Sequence, residues 1–526
     1  MISSFSTIEE SRNKSCLLII FELSPTTFTM RFFILFIFTL IISGLYSQYS
    51  TPGTGIVWNM DSLVANSTGS VTFQDVDIYQ INTELHISAN DSIHIEGQII
   101  SVAPGVTIYV EGSINIDGDE SILMGIIGGN FPFGIRLEEA AIGFFKNVTF
   151  QYFGGIKVLT PDFHLENCQL FNHSPALTTG GAVEISHGNP IFLNNVFANN
   201  DVSAISSAAN SQVAPHIEGN LIQNNVFSNT NRPQINLGPS GGSDTTKIID
   251  NTIIGDDNNE MAGGIAFSSL VGGAGNIIIQ GNSVQTNRYG IAIIGNGLRA
   301  LIDNNVIHAN NTQNEPFLGG SGINLNGNST SFAILSNNDI RNNLWGVTIQ
   351  GSFMASLGNG IDDTIDSPGH NVFAENSNNG QLYALFNNTP NLVVAMFNCW
   401  NDTLESLTLE IAESVISHQV DDPELGEVIF DPLGECFSVG VNEISDISNL
   451  IELHPNPSNT YLNVVWPIEI QFQKLLLTSA TGQVISEIQN LENKRILIDV
   501  HDLSSGVYYL IFQSKDGILT KKFVRS

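Results

Sequence analysis

The chain is short of positive charge. Its 526 residues hold 18 Lys and Arg against 51 Asp and Glu, a net charge of −33. A nucleic-acid-binding protein needs a basic face, and this sequence cannot build one. Charge of either sign is scarce, at 13% of the chain, so the sequence lacks the Glu, Lys and Arg that solvate the outer faces of helices. Four Cys exclude a disulfide scaffold. Beyond residue 47 no apolar run approaches the roughly eighteen residues of a membrane span, and no transmembrane anchor is expected. The apolar share of 42% is too high for a disordered chain. Asn, Ser, Thr and 48 Gly stand where charge is missing, and these residues furnish strand surfaces and turns.

Residues 1–47 read as a leader. Met30-Arg31 precedes the apolar run Phe32 to Ile42, and Ser43-Gly44-Leu45-Tyr46-Ser47 follows. One positive charge, a short apolar core and a small-residue exit describe a secretory signal peptide. Met30 is the expected start and Ser47 the expected last residue removed. Cys16 lies in this leader. Cys168 sits in an apolar register and reads as a buried small hydrophobe. Cys399 and Cys436 flank the end of the repeat described next, where a disulfide is possible.

A short pattern recurs through the body of the chain: Asn, any residue, an aliphatic or Phe, any residue, a small or polar residue, then usually Asn. It begins at Asn195, Asn220, Asn251, Asn282, Asn305, Asn338 and Asn371, with Cys168 and Val148 in the same slot earlier. The steps from 148 to 371 are 20, 27, 25, 31, 31, 23, 33 and 33 residues. Between these marks a second pattern opens with Gly and alternates, at Gly155, Gly264, Gly290, Gly322 and Gly346. Alternation of period two buries one face of a strand. Strands this short need neighbours above and below, which a stack of parallel coils supplies. Inward Asn residues repeated coil after coil predict a side-chain amide ladder. Glycine is expected where each strand starts at a sharp bend. Uneven steps predict long loops at 201–216, 228–246, 254–262 and 308–320.

These marks resemble the right-handed parallel β-helix of the pectin-lyase-like superfamily. The expected fold is therefore all-β: a β-helix over 48–395 including its N-terminal cap, with a C-terminal cap over 396–440. A capping helix is expected within 404–417, where Leu407, Ile411 and Val415 fall at helical spacing. Residues 441–452 read as a linker.

Composition shifts after the linker, and 441–526 carries seven basic and nine acidic residues. About six short strands with turn signals predict a small β-sandwich over 453–526. Pro455-Asn456-Pro457, Gly482, Gly506 with Tyr508, and Lys521-Lys522 follow one another in an order that closely resembles the C-terminal sorting domain of the type IX secretion system of Bacteroidetes. The resemblance implies export through the outer membrane, a translocon partner, and either a secreted or a surface-attached product.

No catalytic site is assigned. Residues 48–440 hold eight basic residues, Arg136, Lys146, Lys157, Arg232, Lys247, Arg288, Arg299 and Arg341, against 39 acidic ones. Such a field repels a polyanion unless Ca²⁺ bridges it. Glycoside hydrolysis needs two carboxylates about 5–9.5 Å apart, for which Asp256 with Asp257, Asp362 with Asp363, and Asp117 with Asp119 are available. Polygalacturonase-like hydrolases are matched only by Asp256-Asp257 and, in part, by Gly369-His370-Asn371. Asp362, Asp363 and Asp366 could hold Ca²⁺ through closely spaced hard oxygens; no other cofactor is expected. His86 and His94 read as ordinary strand residues. The favoured function is a surface β-helix for adhesion or binding of an extracellular polysaccharide. The alternative is a carbohydrate-active lyase or hydrolase.

Overall fold

The computed structural model describes residues 48–125, 132–359, 367–401, 407–436 and most of 451–525. The leader and residues 437–450, which hold most of the expected linker, lie outside them.

The coils are written in a five-residue unit. Asn194 takes a left-handed backbone (φ 56°), Asn195 turns inward, and Val196–Ala198 forms a strand. Asn199 (φ 54°) turns again and Asn200 is buried. Only Gly and short polar side chains enter the left-handed region readily. This explains why Asn194, Asp250, Asn304 and Asn337 each precede a ladder Asn with φ between 53° and 56°.

Three walls of parallel strands enclose the core, forming a parallel β-helix. The long sheet has fourteen strands, from Tyr49–Ser50 to Ile416–Ser417. The middle stack includes Thr245–Ile249, Gly275–Gln280, Leu298–Asp303 and Phe332–Ser336. The triplet stack includes Val196–Ala198, Leu221–Gln223 and Thr252–Ile254. Like stacks on like inside. Ile205, Ile235, Ile265 and Ile291 are successive partners in the long sheet. Ile217, Ile248, Ile279 and Ile302 do the same in the middle stack, and all eight are fully buried.

Two expected features need correction. Ser203–Ser207 and Pro233–Leu237, inside the expected long loops 201–216 and 228–246, are strands of the long sheet. Ala204 and Gln234 replace the opening glycine there, so the pattern was hidden. Nor is glycine mainly a bend residue. A Cβ on Gly264 would lie 2.4 Å from the carbonyl oxygen of Gly290, and one on Gly290 would lie 2.5 Å from that of Gly322. It is the neighbouring coil's close approach that demands glycine at these positions.

The Asn side chains form a continuous polar spine. Asn195 Nδ2 donates to Asn220 Oδ1 at 2.9 Å, and the same bond continues through Asn251, Asn282, Asn305, Asn338 and Asn371 to Asn398 at 2.8–3.0 Å. Each acceptor oxygen also takes the backbone N–H of the preceding Asn, as Asn282 does from Asn251 at 2.9 Å. Each Nδ2 also reaches a backbone carbonyl, Ile248 O at 2.8 Å for Asn282. The buried turn groups are thereby satisfied. Cys168 stands one coil earlier, buried and free, with its N–H on Asn195 Oδ1 at 2.8 Å. Burial pushes its thiol up to about 12.

A second ladder runs five residues later, through Asn200 to Asn225 and from Asn287 through Asn310 and Asn343 to Asn376. Asp256 occupies the slot where an Asn would be expected, and its carboxylate binds its own turn at Asn258. Gln234 from the long sheet bridges the gap, accepting from Asn225 and donating to Asn287 at 2.9 Å.

Both ends of the solenoid are covered. Buried Asp91 accepts from the backbone of Gly53, Gly55 and Ile56 at 2.9 Å and from Trp58 Nε1 at 3.2 Å. Burial alone would raise its carboxyl, but these bonds hold it well below the usual carboxylate range. Helix α1 (Met60–Asn66) buries Met60 and Leu63. At the other end Trp400 stacks on Phe373 (5.0 Å), and Cys399 and Cys436 form a disulfide. Helix α2 (Leu409–Val415) starts at the Thr408 cap and buries Ala412 and Val415, so it is shorter than the expected 404–417. Parallel pairing continues into the expected cap, at Ile416–Ser417 and Val428–Ile429.

Among its described residues the C-terminal unit has seven strands in two antiparallel sheets of three and four, where the sequence suggests about six. Leu462, Val464, Trp466, Leu475, Leu510, Phe512 and Phe523 fill its own core.

Replacing Asn282 tests the spine. Asn282→Ala leaves the buried Asn251 backbone N–H without its acceptor and takes one of the acceptors from Asn251 Nδ2, and a loss of about 2–4 kcal/mol is expected in urea unfolding of the intact chain. Asn282→Asp is expected to be worse at neutral pH, because its second oxygen faces the Ile248 carbonyl. Equal midpoints for Asp and wild type would contradict the bonding direction.

Candidate functional site

Outward side chains of the long sheet line up coil on coil, because register partners stand side by side. At the N-terminal end the row reads His86, Tyr109, Arg136, Lys157 and Glu184. His86 stacks on Tyr109 with centroids 4.5 Å apart. Arg136 forks onto Glu138, Nε to Oε1 at 2.6 Å and Nη2 to Oε2 at 3.3 Å. That hydrogen bond raises the Arg136 pKa against the effect of burial. Lys157 Nζ donates to Glu184 Oε1. Each carboxylate already holds a cation, so the cluster is locally neutral.

The row then turns small and polar, with Ser206, Asn236, Ala266, Ala292, Asn324 and Thr348 in successive coils. It ends in aromatics. Trp345 lies 4.5 Å from Tyr383 and 5.5 Å from Phe386, nearly parallel to the latter. Trp345 Nε1 donates to Pro316 O at 3.0 Å, which fixes its ring. All three rings are half-buried. This long face, charged at one end and aromatic at the other, is the candidate site.

Residues 172–180 pack beside the charged end. A Cβ on Gly134 would meet Leu177, and one on Gly155 would meet Thr178. Buried His173 anchors this segment through Nε2 to Thr178 Oγ1 at 3.1 Å, with its ring edge-on to Phe153. Burial lowers the imidazole to about 4.

The residues singled out from sequence are mostly elsewhere. Asp362, Asp363 and Asp366 lie outside the described residues, as does Gly482. Among the described residues no group of three or more His, Cys, Asp and Glu could hold a metal ion. Asp257 is exposed and Asp256 closes its own turn. Asp117 is half-buried on Ser113–Gly125, beside Lys146 in register; the Asp119 side chain lies outside the described set. His370 is the left-handed turn residue (φ 60°) ahead of Asn371, so Gly369-His370-Asn371 serves the spine. His94 stands 3.8 Å from Glu96, and His86 is the start of the row above. Arg136 and Lys157 appear in the sequence only as two of eight cations; the coil register that joins them is invisible there. No sequence signal links Trp345 to Tyr383 and Phe386, since 38 residues separate Trp345 from Tyr383.

In the C-terminal unit, Asn456 Oδ1 between Pro455 and Pro457 accepts from Val524 N at 2.9 Å, tying the opening to the last strand. Gly506 opens the strand Gly506–Ser514. Tyr508 donates to Ser504 O at 2.8 Å and stacks on Phe523. Lys521 and Lys522 lie on Ile518–Arg525.

His173 yields a pH dependence. Its folded pKa lies below the unfolded value of about 6.5, so its contribution is complete above that value and declines as pH falls toward 4. A decline of at most ~3 kcal/mol is expected in urea unfolding between pH 6.5 and 4. His173→Gln should flatten that part of the profile; an unchanged slope would contradict the assignment.

No curated protein matches the chain in sequence. Among solved structures, the periplasmic alginate epimerase AlgG aligns at 12% identity and a TM-score of 0.42, covering 72% of this chain and 83% of that one. A point mutant of the same enzyme aligns at 11% identity with the same TM-score and coverage. No helix among the described residues is long and apolar enough to cross a membrane. Residues 452–526 match the family described as the secretion system C-terminal sorting domain, so the chain carries a type IX secretion sorting domain behind a β-helix and is delivered outside the cell or to its outer surface.

Proposed function

We propose that the protein binds an extended, largely neutral glycan laid along the long sheet. The observation that carries this reading is the half-buried set Trp345, Tyr383 and Phe386 at the end of a row of Asn, Ser and Thr. Aromatic faces pack against the apolar face of a sugar ring, while amides and hydroxyls serve its hydroxyl groups. Strands repeat every ~4.8 Å; along the row Asn236, Asn324 and Phe386 are half-buried and within reach of a polymer parallel to the axis, while Ser206, Ala266, Ala292 and Thr348 are buried and form the floor between them. The 39 acidic residues of 48–440 favour a neutral over a polyanionic chain on this face. Glu138 and Glu184 are held by Arg136 and Lys157, which suits binding better than proton transfer. That same cluster is where an enzymatic alternative would find its acid and base.

Titration calorimetry of the intact chain against neutral polysaccharides tests the reading. Trp345→Ala with Tyr383→Ala should weaken binding by about tenfold, on the order of 1.4 kcal/mol. Unchanged affinity would overturn it. Release of reducing ends or of unsaturated uronate products would replace it with the lyase or hydrolase reading.

A further inference from the structure

The middle stack carries a second feature, on a different wall. A groove of about 1080 Å³ crosses the strands from Thr245 to Met354. Its floor is aliphatic, with Ile278, Leu301 and Ile334 side by side in successive coils. Arg299 is exposed on its rim, flanked in register by Asn276 and Phe332. Exposed Lys247 stands beside Ile278 at the groove's first coil.

The fate of the other solenoid cations gives these two their meaning. Arg136, Lys146, Lys157 and Arg341 are paired with Glu138, Glu166, Glu184 and Asp339. Arg232 caps the carbonyls of Thr179 and Gly180. Arg288 lies against the Tyr289 ring at 5.3 Å. Among the described residues of 48–440, only Lys247 and Arg299 have no acidic, carbonyl or aromatic partner, although acids outnumber bases there by 39 to eight. Arg299 lines the groove, and Lys247 is the register neighbour of its floor residue Ile278. Asp303 at its opposite side is internally engaged, accepting from Gln280 Nε2 at 2.9 Å and from Ser336 Oγ and Asn337 Nδ2 at 2.8 Å.

The geometry points to a subsite for the acidic substituents of an extended glycan, with Arg299 and Lys247 as the anion-reading groups. This rests on the glycan reading above, and adds sparse carboxylate or sulfate groups to an otherwise neutral chain. Two exposed cations at a groove make charge-assisted bonds to an anion, and the acidic scaffold around them would disfavour a densely charged polymer. A peptide fits less well. The groove strands are internal, paired on both sides, so no free edge offers main-chain hydrogen bonds. The polar side chains on its lining, among them Asn276 and Asn337, already bond to Gly242, Asp244 and Asp303.

Titration calorimetry on the full chain decides it, using a short oligosaccharide with one uronate, its methyl ester, a singly sulfated analogue and an oligoglutamate. Binding of the uronate or the sulfate, with the methyl ester about tenfold weaker, is expected; whichever acid binds more tightly identifies the substituent. Arg299→Gln and Lys247→Gln should each remove most of that difference without moving the thermal midpoint, and added salt should shrink it. Equal affinity for acid and ester, equal affinity for oligoglutamate, or undiminished discrimination in both variants would overturn the subsite. Trp345→Ala with Tyr383→Ala separates the two readings. If it abolishes neutral-glycan binding while acid discrimination persists, both stand. If discrimination disappears with it but survives Arg299→Gln, the subsite fails and the long-sheet reading remains.

Discussion

The buried amide ladder is the constraint on which the solenoid depends. An Asn side chain in an apolar core is costly unless every donor and acceptor is engaged. Here each amide finds its partner one coil away, with donors all facing the same way from Asn195 to Asn398. A coil that slipped by one residue would bury a left-handed turn residue and expose the amide. The ladder therefore fixes register as well as contributing stability. The same register places Ile205 beside Ile235 and, on the outside, Arg136 beside Lys157.

Because inside and outside alternate, one register serves both. The inner faces are uniform, branched aliphatics and Phe in columns. The outer faces are free to vary. The long sheet graduates from ion pairs near Arg136 to aromatics near Trp345, while the middle stack presents an aliphatic strip with Arg299 on its rim and Lys247 in register with Ile278. The loops need not be uniform either. Coil lengths from 23 to 33 residues leave the ladder bonds within 0.2 Å of one another. Loop variation costs a solenoid little, since added length raises closure entropy only slowly.

Much of the fold was legible in the sequence. The left-handed turn and inward Asn recur within five residues, a local signal that survives irregular coil length. The C-terminal unit was legible for a similar reason, since Pro455-Asn456-Pro457 and Gly506 with Tyr508 are short fixed motifs. What stayed hidden was non-local or substituted. Gln234 fills a gap left by Asp256, which no periodicity announces. Trp345 and Tyr383 meet only through the coil register. Of the acidic pairs the sequence offers, Asp256 is bonded into its own turn and Asp257 is exposed. Functional convergence on a β-helix comes from residues a whole coil apart.

The net charge acquires a location from this arrangement. Nearly all of the −33 lies on 48–440, where most cations are consumed by ion pairs and turns. Hydrogen–deuterium exchange of the intact chain, wild type against Asn282→Ala, tests the central claim that the ladder acts as one unit. Faster exchange is expected beyond the altered coil, in Thr252–Ile254 and Val306–His308 on either side. Acceleration confined to Ser283–Gln285 would show that each Asn serves its own turn alone, and would contradict the account.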